Sequence, residues 1–237
     1  MKAAQSKKSI VRLTSWDDMP YGAYYRQALG QELKAWWPKL FGLYLLKIGA
    51  LSADLDTRDC AIFHQINVGL EGKCLHVIAE PHRLPFSNKS TDACLLAHTL
   101  SYTGHPRQIL REVDRVLLDD GWLVITTFNP VSLLGLGKIC PILFRRHPYR
   151  SRMYTQIRLL DWLGVLNFEI LHCMRLQVLP WRQHGGHLLS MCFPVIGCLS
   201  LIIARKRTFP LSLMPMQKQS THGLQQPINA STCSYPQ

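Results

Sequence analysis

Acidic residues are scarce in this chain, paired cysteines are missing, and the first residues lack the apolar core of an export signal. Lys and Arg number 27 against 15 Asp and Glu, a formal charge of +12 at pH 7. Such a surplus admits nucleic acid or an anionic surface as a partner. Yet no Lys/Arg row interleaved with aromatics occurs, nor any zinc-finger or RNA-binding signature, so a solvated basic surface is the favoured account. None of the eight cysteines forms a C-x-x-C pair, and Cys94 and Cys198 lie inside apolar runs. They read as small buried hydrophobes in a reducing compartment, which places the protein in the cytoplasm. The opening "MKAAQSKKSIVRLTSWDDMP" is basic without an apolar stretch and is no secretory signal. Leu188 to Ala204 is uncharged and borders on the length of a membrane span. Pro194 and Gly197 interrupt it, and two buried strands explain it better, so no transmembrane segment is expected. No internal repeat is evident.

What is present is globular: 47% hydrophobic and 18% charged residues over 237 positions, ample for a core. Residues 1–15 read as a loose arm, 16–207 as one α/β domain, and 208–237, rich in Pro, Gln, Ser and Thr, as a disordered tail. After the Pro20–Gly22 turn, Leu29, Leu33, Trp36 and Trp37 recur at helical spacing up to Pro38. "LYLLKIG", residues 64–69, 74–80 and 91–100 are short apolar runs of strand type. Near-continuous runs of this kind suit a parallel sheet buried on both faces. Residues 106–119 put Ile109, Leu110, Val113, Val116 and Leu117 on one face and charges on the other. Gly121 then opens the strand "WLVITTF", which completes a βαβ unit with a right-handed crossover. A further helix ends near Asn167, a strand starts at Phe168, and "GCLSLIIARK" is the last strand.

Candidate chemistry is sparse. His98 ends the fourth strand and faces the crevice where α/β sheets bind ligands, as a general base or a substrate contact; a lone His in an apolar strand is more often a core residue. Asn129 ends the fifth strand in "FNP" and lines the same crevice, or simply turns the chain before Pro130. His184 and His187 flank a Gly-Gly loop without a third ligand, so no metal site is expected. Cys94 and Cys140 have no His in a catalytic pattern, so no thiol nucleophile is expected.

The run from Leu84 to Pro130 carries a family resemblance. Leu84-Pro85-Phe86, Asp92, His105-Pro106, Glu112–Arg115–Leu117 and Asp120-Gly121 stand in the register of class I S-adenosylmethionine (SAM)-dependent methyltransferases of the small-molecule type. With the flanking "FNPVSLLGL", "LDWLGVLNFEI" and "WDDMPYGAYY", the chain resembles a proteobacterial subgroup of that fold. The resemblance implies a Rossmann-like fold: a mostly parallel central sheet with an antiparallel last strand and an N-terminal helical cover. It implies SAM as cofactor, methyl transfer to a small molecule, or alternatively a degenerate fold with a binding or regulatory role. "LLKIGALSADLD" sits where the family's first strand meets its glycine-rich SAM loop. Gly49 is retained there; Leu51 and Ala53 replace the later glycines, and Lys47 stands in the place of an acid. Lys47 would repel the cofactor's ammonium if buried, or pair with its carboxylate, or point away. Asn67, with Glu71 nearby, falls near the ribose-binding acid, and Glu80 matches the acid on the adenine side. The span 49–84 is short for the family, so the helix between the second and third strands is expected to be shortened or missing. Methyl transfer needs alignment and exclusion of water more than a base, so a sparse site is compatible with activity.

Overall fold

A computed structural model describes residues 13–72, 74–132, 134–135, 151–176 and 197–207. The tail, most of the arm, His184, His187 and Cys140 lie outside the described residues. Seven strands form one sheet: β1 Tyr44–Ile48, β2 His64–Gly69, β3 Val77–Ile78, β4 Thr91–Ala97, β5 Leu117–Phe128, β6 Phe168–Leu176 and β7 Leu199–Lys206. Their order is β3-β2-β1-β4-β5-β7-β6. β1 lies parallel between β2 and β4, and β5 continues parallel beyond β4. β7 runs antiparallel between β5 and β6, and its register with β6 shifts between Ile170 and His172. The helices are α1 Gly22–Lys34, α2 Ala50–Ala53, α3 Pro106–Val116 and α4 Gln156–Val165. The expected architecture is therefore the observed one, down to the reversed last strand.

Alternation along the strands sorts the core into two layers. Leu46, Ile48, Cys94, Leu96, Leu123 and Ile125 bury one face against Ile109, Leu110 and Val113 of α3 and Leu159 and Leu163 of α4. Leu45, Leu95, Ala97, Val124 and Phe128 bury the other against the N-terminal cover, Trp16, Tyr25, Leu29, Leu33 and Trp37. Asn167 is left-handed at φ 58°, which ends α4 as its type suggests. Among the described residues, no helix is long and apolar enough to cross a membrane, and residues 199–204 of the uncharged segment lie in strand β7.

Four boundaries differ from expectation. The cover helix ends at Lys34, and Trp36 caps a separate turn, Trp37–Lys39, that contains Trp37 and Pro38. α3 ends at Val116 rather than 119, because the N–H groups of Lys89 and Ser90 take the carbonyls of Arg115 and Val116, and Leu117 pairs with Thr91. Asp120, at φ 64°, and Gly121 then kink β5 from within instead of preceding it. Only Val77–Ile78 of 74–80 form strand, since Cys74 is left-handed at φ 60° and its carbonyl accepts from the Asn67 side chain.

Two devices fix the frame of the site. The Asp92 carboxylate accepts from Leu43 and Tyr44 N–H, both at 2.9 Å, so it ties the start of β1 to β4. Gly42 passes so close that a Cβ would lie 2.3 Å from the Asp92 side chain. Arg115 donates to the carbonyls of Leu84 and Phe86, to Asn88 and to Glu112, while Glu112 accepts from Leu84 N–H at 2.8 Å. The "E-x-x-R" pair thus clamps the Leu84–Phe86 loop onto α3.

Candidate cofactor and substrate crevice

In an open α/β sheet the ligand crevice lies outside the carboxyl ends of the strands where the winding reverses, here β1 and β4. Gly49 makes the turn at the end of β1 with φ 96°, and its N–H donates to Val68 O at 2.7 Å. A Cβ on Gly49 would stand 2.7 Å from Thr99 Oγ1. Thr99 and Ser52 both donate to Ile48 O at 2.6 Å, and Ala97 N–H donates to Ser52 Oγ at 2.7 Å. The ends of β1 and β4 are stitched together through these two hydroxyls.

Over this seam lies Trp16. Its turn is held by Asp18, whose carboxylate accepts from Thr14 and Ser15 N–H. The fully buried Trp16 indole donates through Nε1 to Leu51 O at 3.0 Å. Its ring meets His98 edge-on at 5.3 Å, and His98 stacks on Phe128 at 4.1 Å. His98 is left-handed at φ 54°, and its N–H donates to Thr126 O. Both ring nitrogens are buried and neither has a hydrogen-bond partner among the described residues. Burial alone lowers the pKa of His98 from 6.5 to about 3, so the ring is neutral at physiological pH.

The other sequence candidates are placed as follows. Lys47 is buried beside β2, and its ammonium donates to Leu55 O at 2.9 Å and Thr57 Oγ1 at 3.1 Å. Desolvation holds its pKa below the ordinary lysine value, opposed by the charges of Asp56 and Asp54. Asn67 stands opposite Lys47 in the β1–β2 register; its Nδ2 donates to Cys74 O, while its buried Oδ1 has no partner among the described residues. Glu71 lies exposed two residues beyond β2. Glu80, also exposed, follows β3 and pairs with His82 at 3.1 Å. Asn129 is buried behind the crevice, where its amide donates to the carbonyls of Val131 and Gly197 and accepts from Val131 N–H. Among the described residues, no three His, Cys, Asp or Glu side chains gather as metal ligands.

Two residues narrow the crevice at this turn: Leu51, visible in the sequence as a replaced glycine, and Gly72, which the sequence pattern left aside. In a dinucleotide-type turn the second glycine lets the ligand reach the backbone. That position is Leu51, which is buried in the cover core with Trp16. Gly72 closes the same side, since a Cβ there would lie 2.9 Å from Ala50 Cβ. Leu51 and Gly72 together narrow the approach to the turn at Gly49. Beyond this turn stand two polar groups, the Asn67 Oδ1 without a partner among the described residues and the exposed Glu71 carboxylate after β2. The capping pattern Ser15-Trp16-Asp17-Asp18 is a sequence signal for the turn at Trp16, beside the resemblance of "WDDMPYGAYY".

Comparison with known proteins agrees with this architecture. A methyltransferase-domain family model matches residues 48–125, from the end of β1 to β5. Among solved structures, a SAM-dependent methyltransferase of Thermotoga maritima superposes with a TM-score of 0.57 at 18% identity, covering 77% of this chain and 89% of that one. A SAM-dependent methyltransferase of Archaeoglobus fulgidus gives 0.53 at 15%, with 76% and 94% covered. The [4+2]-cyclase SpnF gives 0.51 at 18%, with 75% and 81% covered. At such identities these likenesses establish the fold. A curated relative, the uncharacterized protein YafS of Escherichia coli K12, is 50% identical over 239 residues, all of both chains. With half its residues shared along its whole length, and with the methyltransferase domain laid across β1 to β5, the chain belongs to the family of E. coli YafS, a family built on the SAM-methyltransferase fold.

Proposed function

We propose that the chain is a cytoplasmic SAM-dependent methyltransferase acting on a small-molecule acceptor. The observation that carries this is the sheet order β3-β2-β1-β4-β5-β7-β6 with the family match falling on the loops of its switch point. In this reading the ribose lies toward Asn67 and Glu71, the adenine toward Glu80, and Gly49 provides the turn beneath the cofactor. SAM supplies an electrophilic methyl group when bound. The chain's own part is to orient the acceptor and exclude water. His98, fully buried between Trp16 and Phe128, shapes the acceptor side of the crevice from beneath as a neutral imidazole. With a pKa near 3 it is a weak base at neutral pH, so proton abstraction is not its role. Lys47 is a strut: its ammonium ties β1 to the 55–57 loop.

A second reading has its own support. Leu51 and Trp16 fill the approach to the turn, which suits a fold retained for binding without catalysis. Calorimetric titration of the full chain with SAM and S-adenosylhomocysteine separates the two. Methyl transfer requires a heat of binding in the wild type. Leu51→Gly reopens the approach and is expected to tighten binding by about tenfold or more. Absence of heat in both proteins assigns the chain to the second reading.

A further inference from the structure

A cavity of about 530 Å³ opens between the N-terminal ends of α3 and α4, at the carboxyl edge of the sheet. Its wall includes Arg107, Arg152 and Arg158 and, among the described residues, no Asp or Glu. Arg107 and Arg158 flank the Trp162 ring, with guanidinium carbons 5.2 and 5.4 Å from its centroid. Trp162 is itself nine-tenths buried, and its indole nitrogen has no hydrogen-bond partner among the described residues. Arg152 is braced by Gly104 O. None of the three arginines is in an ion pair among the described residues, whereas Arg26, Arg58, Arg115, Arg205 and Arg207 all are.

Helix energetics makes this arrangement costly to the chain on its own. A helix N-terminus carries partial positive charge and favours acids in its first turn. α3 and α4 have none there, place Arg107 and Arg158 there instead, and have no side-chain cap at His105 or Thr155. Two helix ends and three guanidiniums thus point one sign of charge at one cavity. Helix N-termini and arginine forks are the groups that hold phosphoryl oxygens. The cavity is also large enough for an organic group beside the anion.

We propose that this cavity binds the phosphoryl group of a small phosphorylated ligand. One four-residue turn, Thr99–Tyr102, separates His98 from the cavity wall at Gly104. On the methyltransferase reading, on which this part rests, the ligand is the methyl acceptor, held by its phosphate with its organic end toward His98.

The test is calorimetric titration of the full chain with inorganic pyrophosphate, for the wild type and for Arg107→Gln/Arg158→Gln. Circular dichroism serves as the check that both are folded. Binding is expected in the wild type, weaker by about tenfold or more in the double variant, and further reduced by Arg152→Gln. Absence of heat at about 10 mM pyrophosphate, or binding that survives in the double variant, overturns the proposal. So does acetate binding as tightly as pyrophosphate, which would leave no preference for a dianion. A duplex oligonucleotide that the arginine variant loses and pyrophosphate fails to displace would assign the cavity to nucleic acid instead. SAM is titrated in parallel. Pyrophosphate heat without SAM heat keeps this site and removes methyl transfer; SAM heat without pyrophosphate heat does the reverse.

Discussion

From β4 to β5 the chain forms a regular strand–helix–strand unit; from β1 to β3 it barely does. α3 runs eleven residues and buries four of them on the sheet. α2 is a single turn, and residues 70–76, as far as they are described, join β2 to β3 without a helix. The first region is held by a charged clamp, Glu112 and Arg115 on the Leu84–Phe86 loop. The second is held by a lysine, two hydroxyls and a buried indole reaching backbone carbonyls. One half of the sheet thus rests on a regular helix and a charged clamp, the other on single hydrogen bonds to backbone carbonyls, two of them reaching across distant segments.

The comparison breaks first at Trp16. Trp16→Ala empties a fully buried indole and is expected to destabilise by about 3–5 kcal/mol in urea unfolding. A loss below about 1 kcal/mol would show that the cover is not part of the cooperative core. Next comes the clamp on the other side. Glu112→Ala leaves Leu84 N–H without its acceptor and Arg115 without its carboxylate, at a cost of about 2–3 kcal/mol by the same measurement. An equal shift from Glu112→Gln would mean that charge, rather than the hydrogen bond to Leu84, dominates.

The half built around His98 should also be the acid-sensitive one. His98 titrates near 3 in the folded protein and at its ordinary 6.5 when unfolded. Between those values the unfolded chain binds the extra proton, so this contribution is complete above pH 6.5 and is lost as pH falls toward 3. Stability is expected to drop by about 2 kcal/mol from pH 7 to pH 5, and His98→Phe should flatten that slope. A slope unchanged in His98→Phe would place the acid sensitivity elsewhere. The smallest effect is expected at Lys47. Lys47→Met removes two hydrogen bonds, costs about 1–2 kcal/mol, and leaves SAM affinity as it was, because Leu55 and Thr57 already hold the ammonium. A SAM affinity that rises in Lys47→Met would restore the view that its charge opposes the cofactor.

The two regions also differ in how far the sequence foretold them. The amphipathic pattern of 106–116, the continuous burial of β4 and β5, and Asn167 as a helix stop are local properties, and local properties are written in spacing and residue type. The resemblance carried the mostly parallel sheet with its antiparallel last strand and the N-terminal helical cover. Hidden were contacts between distant segments: Trp16 on Leu51, Thr99 against Gly49, and around one cavity two arginines from two helix starts with a third from the loop before α4. Leu51 was visible as a missing glycine, but its burial under Trp16 depends on a cover folded from 35 residues away. Asn129 shows the opposite case, a residue singled out by its place before Pro130 whose amide is engaged by the backbone of Val131 and Gly197.

The shifted register between Ile170 and His172 bears on how the molecule behaves in a crowd. β6 is one outer strand of the sheet and spans nine residues, long enough to recruit a strand from a second copy. The extra residue, Leu171, interrupts the ladder and bends the strand midway, so an incoming chain meets no straight row of nine backbone groups. At the opposite margin β3 offers only Val77–Ile78. Neither border of the sheet is a good template for growth, and a protein with so basic a surface and such blunted borders is expected to remain dispersed at concentrations where an unguarded sheet of this size would begin to fibrillise.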